Sequence, residues 1–252
     1  MILGKHDEEN EIFDTIIFCR RDIKEIIIPS FIKYIGSYSF ENCSQLELII
    51  FENESKVEYI SEYAFSSTSI KSISIPSSVI KICQFAFYDC KELKNVYISD
   101  DSNLEIIEHL AFGCTPIENI YIPTKVTQIH SGLFERMENL RSISISPNNK
   151  CFRYIDEKFI IGKSDINNDA YDTLIFCRKD ISEVTIPSYI KFLGPYSFYH
   201  SKELKKIIFP FNSELEKICT FAFACSSIEN ISIPSKVSNI GKYAFYQTIK
   251  KS

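Results

Sequence analysis

The sequence predicts an α/β-type solenoid. Short coils stack on one another, each giving one strand to a parallel sheet and a short helical or 3-10 turn to the return limb, with a β-hairpin island set into the stack. Three observations carry that expectation. DTIIFCRRDIKEIIIPSFIKYIGSYSF, from Asp14 to Phe40, is written again as DTLIFCRKDISEVTIPSYIKFLGPYSF from Asp172 to Phe198, identical at 18 of 27 positions and offset by 158 residues. A phenylalanine recurs at 40, 65, 87, 112, 134, 198, 223 and 245, at spacings of 25, 22, 25, 22, 64, 25 and 22. Before most of these, an alternating apolar run ends at a proline: Pro29, Pro76, Pro123, Pro187 and Pro234. Self-similarity at a fixed short period marks a stacked array.

One coil shows why. In IKSISIPSSVIKICQFAFYDCKE, from Ile70, the alternation of Ile73 and Ile75 has period two and reads as a strand with one buried face. Pro76 removes a backbone donor and ends the ladder. Val79, Ile82, Phe85 and Phe87 then take wider spacing, which predicts a turn of helix or 3-10 helix on the return limb. A unit this short cannot bury its own apolar face; stacking does so by placing each Ile and Phe on its counterpart one coil away. A period of roughly 20–29 residues with one short strand per unit lies in the leucine-rich-repeat range.

In chain order, residues 1–21 read as a partial hairpin and 22–146 as six coils. Residues 147–180 read as the β-hairpin island, and 181–252 as three further coils, all in one continuous solenoid. Strands are expected from Ile23, Leu46, Ile70, Leu93, Ile117, Leu140, Ile181, Leu204 and Ile228, paired about 4.8 Å apart along the stack. Longer coils insert polar bends at Glu52–Lys56, Ser99–Asn103 and Pro210–Glu214. In the island, KFIIG and TLIFC flank a polar loop, and the N-terminus repeats the latter part of this pattern at the same offset of 158. The chain therefore reads as a higher-order repeat of hairpin plus coils, entered and left part-way.

Composition narrows the function. Phe and Tyr number 20 and 14 and Gly only 7, a bias that favours strands and argues against glycine-rich phosphate loops. A net charge of −5 with no basic cluster argues against nucleic acid. No run of about 18 apolar residues is present, so no membrane span is expected. The N-terminus MILGKHDEENEIF has acids where a signal peptide needs an apolar stretch, so no export signal is expected. Nine cysteines lack CxxC or zinc spacing; Cys43, Cys90, Cys114 and Cys225 follow a repeated Phe and read as small apolar core residues.

The motifs IPSSVIKICQFAF, IPSYIKFLGPYSF and IDEKFIIGKSD…YDTLIFCRKDI resemble the BspA-like leucine-rich-repeat family. That family is known from bacterial adhesins and from surface antigens of parasitic protists, and the island wording looks closest to the protist members. The resemblance covers essentially the whole chain. It implies a right-handed curved solenoid with a parallel sheet on the concave face, a role in adhesion or protein binding, and no catalytic residues or cofactor. It also implies a cell-surface location, against which stands the missing export signal.

Other chemistry is weak. Gly162–Ser164 reads GKS, but Glu157 stands where a phosphate loop needs its first glycine. Asp165, Asn167 and Asp169 have calcium-loop spacing, echoed by Asp7, Glu9 and Glu11, yet Ala170 and Phe176 occupy the positions that need Gly and Glu. Asp100 and Asp101 sit in a bend without the apolar setting that shifts a pKa. His6, His109, His130 and His200 share no pattern with a nucleophile. No metal site is expected.

The outward strand positions are more informative: Ile27, Ile50, Ser74, Tyr97, Tyr121, Ser144, Thr185, Ile208 and Ser232. Tyr97 and Tyr121 fall on neighbouring strands, which predicts rings side by side, and tyrosine supplies broad contact area with a polar tip. Ile27, Ile50, Tyr97, Tyr121, Ser144 and Ile208 are the expected ligand-binding residues on the concave face. The expected partner is another protein or a host-surface component. A second copy of the chain is also expected, docking through uncapped solenoid ends. An intracellular scaffold is the alternative, and an enzyme the least favoured reading. Asn42, Asn53 and Asn230 begin sequons, relevant only to an exported chain.

Overall fold

The computed structural model describes residues 1–7, 11–130 and 132–248; Glu9, named above for its spacing, lies outside them. The chain divides into two compact units, Met1–Lys150 and Cys151–Ser252. Every regular element among the described residues is a strand.

In the first unit the coils carry two kinds of strand. The longer ones, Glu25–Ile28, Leu48–Phe51, Ser72–Ser74, Asn95–Tyr97, Asn119–Ile122 and Ser142–Ile145, fall where the period-two runs predict them. The shorter ones, Tyr34–Ile35, Tyr59–Ile60, Lys81–Ile82, Ile106–Ile107 and Gln128–Ile129, lie on the return limb and form a second parallel ladder. That ladder begins on the hairpin of Ile2–Gly4 and Thr15–Phe18, whose second strand pairs in parallel with Tyr34–Ile35.

The second unit repeats this plan. Phe159–Gly162 and Thr173–Cys177 form an antiparallel hairpin, and the latter leads the ladder Phe192–Leu193, Lys217–Ile218, Asn239–Ile240. Both hairpins shift register at the equivalent place, Ile2/Leu3 and Ile160/Ile161. Phe152–Ile155 adds a strand that the sequence reading did not separate from the island.

The helical return limb is corrected. No helix occurs among the described residues, because the turn amides are spent in another way. At Tyr38, Phe40 and Asn42 they donate to Glu62, Ala64 and Ser66 of the next coil, while at Ser39, Glu41 and Cys43 they donate back to Gly36, Tyr38 and Phe40. The same alternation runs through Tyr63–Ser67, Phe85–Asp89 and Tyr196–Ser201. A helix would turn every amide inward and forfeit the bonds between coils. The alternation needs left-handed backbone at Tyr38, Tyr63, Phe85, Tyr196, Phe221 and Tyr243, with φ of 52–61°. Such a conformation is costly for bulky residues and persists only where the surroundings enforce it.

Ring stacking supplies that enforcement. Tyr38, Tyr63 and Phe85 stack at 5.1 and 4.7 Å, and Tyr196, Phe221 and Tyr243 at 5.1 Å each. Two residues on, Phe40, Phe65, Phe87 and Phe112 form the buried column at 4.9, 5.3 and 5.3 Å. Phe198, Phe223 and Phe245 form its counterpart at 5.1 and 5.2 Å. Isoleucines complete the core: Ile35, Ile60, Ile82 and Ile107 are all fully buried.

The long-strand sheet is also interrupted, where one continuous ladder of nine strands was expected. Glu25–Ile28 pairs only with Leu48–Phe51; the other four of the first unit form a separate sheet. Within that sheet a single residue pair, Asn95↔Asn119, joins its halves. In the second unit Glu183–Thr185 pairs with Lys206–Ile208, and the ninth position contributes one bridge, Lys206↔Asn230. Each weakened junction follows a strand that leads into one of the long polar bends. The extra residues carry the strand end out of register with the next coil.

The cysteine expectation holds in part. No disulfide links the nine cysteines; Cys19, Cys43, Cys90, Cys151 and Cys177 are buried, whereas Cys83, Cys114, Cys219 and Cys225 are only half-buried.

Candidate functional site

The expected binding row lies on the outward face of the longer strands, where alternation turns every second side chain away from the Ile core. Ile27 pairs with Ile50, Ser74 with Tyr97 and Tyr121 with Ser144, each directly opposite its partner. Ile27 is 57% exposed, Ile50 44% and Tyr97 58%. Ser144 is exposed and Tyr121 half-buried. Ile208 is half-buried opposite Thr185, in the second unit.

Tyr97 and Tyr121 are not brought together as expected. No ring contact joins them, and only Asn95↔Asn119 links their strands. Tyr121 instead donates its hydroxyl to Asp100 Oδ1 at 2.8 Å, which also accepts from Thr124 N at 3.1 Å and Thr124 Oγ1 at 2.8 Å. Hydrogen bonds from Ser146, Thr124 and Tyr121 hold the Asp100 carboxyl below the usual carboxylate range. Asp100 is thus not an inert bend residue: donors, rather than apolar burial, shift it. Thr124 Oγ1 and Ser146 Oγ, 2.7 Å apart, extend this network to the next coil.

Where Leu48–Phe51 and Ser72–Ser74 fail to pair, a cavity of about 480 Å³ opens on the same face. Ile50, Phe51, Ser74 and Pro76 line it, with Glu52 and Glu54 at the bend. Glu52 is tied to the preceding coil by accepting from Ser30 N at 2.8 Å.

The weaker candidates are engaged locally. Asp165 Oδ1 accepts from Asn167 N and Nδ2, and Asp169 pairs with Lys163. No cluster of three or more His, Cys, Asp or Glu side chains suited to a metal forms among the described residues. Gly162 ends a strand rather than opening a helix, and Ser164 bonds Asp172 through its amide at 3.0 Å and its hydroxyl at 2.8 Å. No helix among the described residues is long and apolar enough to cross a membrane.

A second surface escaped the sequence reading. On the return-limb ladder of the first unit, His6, Tyr34 and Tyr59 stack at 3.7 and 5.4 Å beside a cavity of about 490 Å³. Only in-register alignment of coils brings these residues together; no local spacing announces them.

The chain matches the BspA type leucine rich repeat region over residues 10–141, 58–170 and 166–252. It belongs to that family. No curated protein matches it. Among solved structures, the pneumococcal vaccine antigen PcpA is similar, with 28% identity and a TM-score of 0.77 over 90% of this chain and 61% of that one. A leucine rich cell surface protein from Faecalibacterium prausnitzii shares the fold at 22% identity and a TM-score of 0.64, over 90% of this chain and 71% of that one. The chain thus spans about three fifths of the pneumococcal antigen's length. Leucine-rich-repeat solenoid and BspA-type membership therefore stand on both sequence and structure.

Proposed function

We propose that this BspA-type repeat protein is a non-catalytic protein-binding module of the surface-antigen and adhesion kind, working through the outward row of its longer strands. The observation that carries this is the exposure of Ile27, Ile50 and Tyr97 on strands whose backbones are fixed by ladder bonds. Rigid, exposed apolar and aromatic side chains bind with little ordering cost. Ser144 and Tyr121 extend the row in the first unit, and Ile208 offers a smaller apolar position in the second. The pneumococcal antigen and the cell surface protein support a surface role by likeness of fold. The partner is another protein or a host-surface component. The test compares the chain with Tyr97→Ala and Ile50→Ala together, for retention of a surface or cell extract and then of the isolated partner. Unchanged retention by a folded variant would discard the row as the binding face.

A second reading, an intracellular scaffold of the same shape, is favoured by nine cysteines without a disulfide. Labelling intact cells with a membrane-impermeant reagent separates the two: labelled protein excludes the scaffold. Self-association is also proposed, on the exposure of Ile240, Tyr243 and Tyr246, each about half exposed. A strictly monomeric mass by light scattering at high concentration would remove it.

A further inference from the structure

The geometry points to a second binding site, on the return-limb ladder of the first unit, that takes a short neutral saccharide. Its cavity of about 490 Å³ falls in the size range of small-molecule sites. Tyr34, Tyr59, Glu62 and Gln84 line it. Ser61 and the half-buried Cys83, each directly after a short strand, line it as well. His6 and Glu108 also line it, and Glu108 Oε1 is paired with Lys81 Nζ at 2.7 Å.

The unspent hydrogen-bonding groups define the ligand. The hydroxyls of Tyr34, Tyr59, Ser37 and Ser61 have no hydrogen-bond partner among the described residues. Gln84 Nε2 donates to Glu62 Oε1 at 2.8 Å, leaving the other carboxylate oxygen open to accept. Burial, and then the nearby Glu108, push the Cys83 thiol up to about 11, so it stays neutral.

Anions are disfavoured, because Glu62 and Glu108 line the cavity and the neighbouring Lys81 is committed to Glu108, which also accepts from Gln84 N at 2.9 Å. Tyr34 offers no open ring face to a cation, because His6 and Tyr59 stack on its two sides. What remains is a neutral set of hydroxyl donors with one carboxylate and one amide, which matches the alternating hydroxyls of a pyranose.

The internal repeat supplies a comparison. At the offset of 158, Gly36 and Gly194 are both kept, and an added Cβ would meet a backbone oxygen at 2.5 and 2.8 Å respectively. The cavity residues are not kept: Tyr34, Ser37, Tyr59, Glu62 and Gln84 become Phe192, Pro195, Lys217, Thr220 and Lys242. The fold therefore does not demand the hydroxyl-and-carboxylate set.

The test screens the full chain against immobilised neutral hexoses, N-acetylhexosamines and their disaccharides, with sialylated and sulfated glycans as the acidic set, and titrates the best neutral ligand. Neutral sugars are expected to be retained over acidic ones. Tyr59→Phe and Glu62→Gln, which preserve shape, each weaken binding about tenfold, while Lys217→Ala leaves it unchanged. The bound sugar also slows alkylation of Cys83, read by mass spectrometry. Retention of no neutral glycan, preference for acidic ones, or affinity indifferent to Tyr59→Phe and Glu62→Gln would each overturn the assignment.

Discussion

Replacing Phe87 by alanine tests whether the aromatic column holds the coils together. Phe87 is fully buried and lies 5.3 Å from both Phe65 and Phe112, with ring planes 13° and 10° from parallel. Truncating a buried Phe costs about 3–5 kcal/mol, and each stacked pair adds about 0.5–1.5 kcal/mol beyond area. Two faces stacked and no exposed edge place Phe87→Ala at the upper end, about 4–5 kcal/mol. Among the described residues Phe245 stacks on Phe223 alone, and it is only partly buried, so its truncation should cost about 1–2 kcal/mol. Urea unfolding of the two variants, compared at their midpoints, reads the difference. Because coils couple mainly to neighbours, Phe87→Ala is also expected to lower the slope m as cooperativity breaks in mid-array. Equal losses for Phe87 and Phe245, or a loss under about 1 kcal/mol at Phe87, would refute a stack stabilised through this column.

Ser39 Oγ and Ser197 Oγ are buried without a partner, while the equivalent positions in other coils are Ala64, Ala86, Ala222 and Ala244. Ser39→Ala should therefore raise stability by up to about 1 kcal/mol, seen as a higher melting midpoint. Glu108 is pushed up by burial, but its bonds to Lys81 and Gln84 N outweigh that and leave its pKa lowered. Its contribution is complete above the ordinary glutamate range and is lost as pH falls through the depressed value. The stability gap between the native chain and Glu108→Gln should close as pH falls from the ordinary glutamate range through that depressed value. Burial pushes Cys90 up to about 11 and Cys177 up to about 12, so native-state thiol labelling at neutral pH should reach the half-buried Cys114 well before either.

Much of the architecture was legible because it repeats. The Ile alternation placed the longer strands, the prolines placed their ends, and the Phe column placed the core. The return limb was not legible. Its backbone turns left-handed at tyrosine and phenylalanine rather than glycine, so the residue that normally signals the conformation is missing. Two-residue strands such as Tyr34–Ile35 are too short to show a period, and their partner lies one whole coil away. The row through Ile27, Ile50 and Tyr97 followed from alternation alone. The gap beside Ile50 did not, because it depends on how each polar bend displaces the strand before it. Tyr34, Tyr59, Glu62 and Cys83 meet only when coils are aligned, and nothing local distinguishes them from ordinary surface residues.

The alternating amides between Gly36 and Cys43 impose a parity on the chain. A single codon added there would exchange every neighbour-directed bond for a self-directed one and turn Phe40 outward. Growth by one residue is forbidden in those corners, whereas loops such as Glu52–Lys56 can lengthen freely. Lineages of such proteins should therefore record their insertions at the bends and keep the corners at constant length.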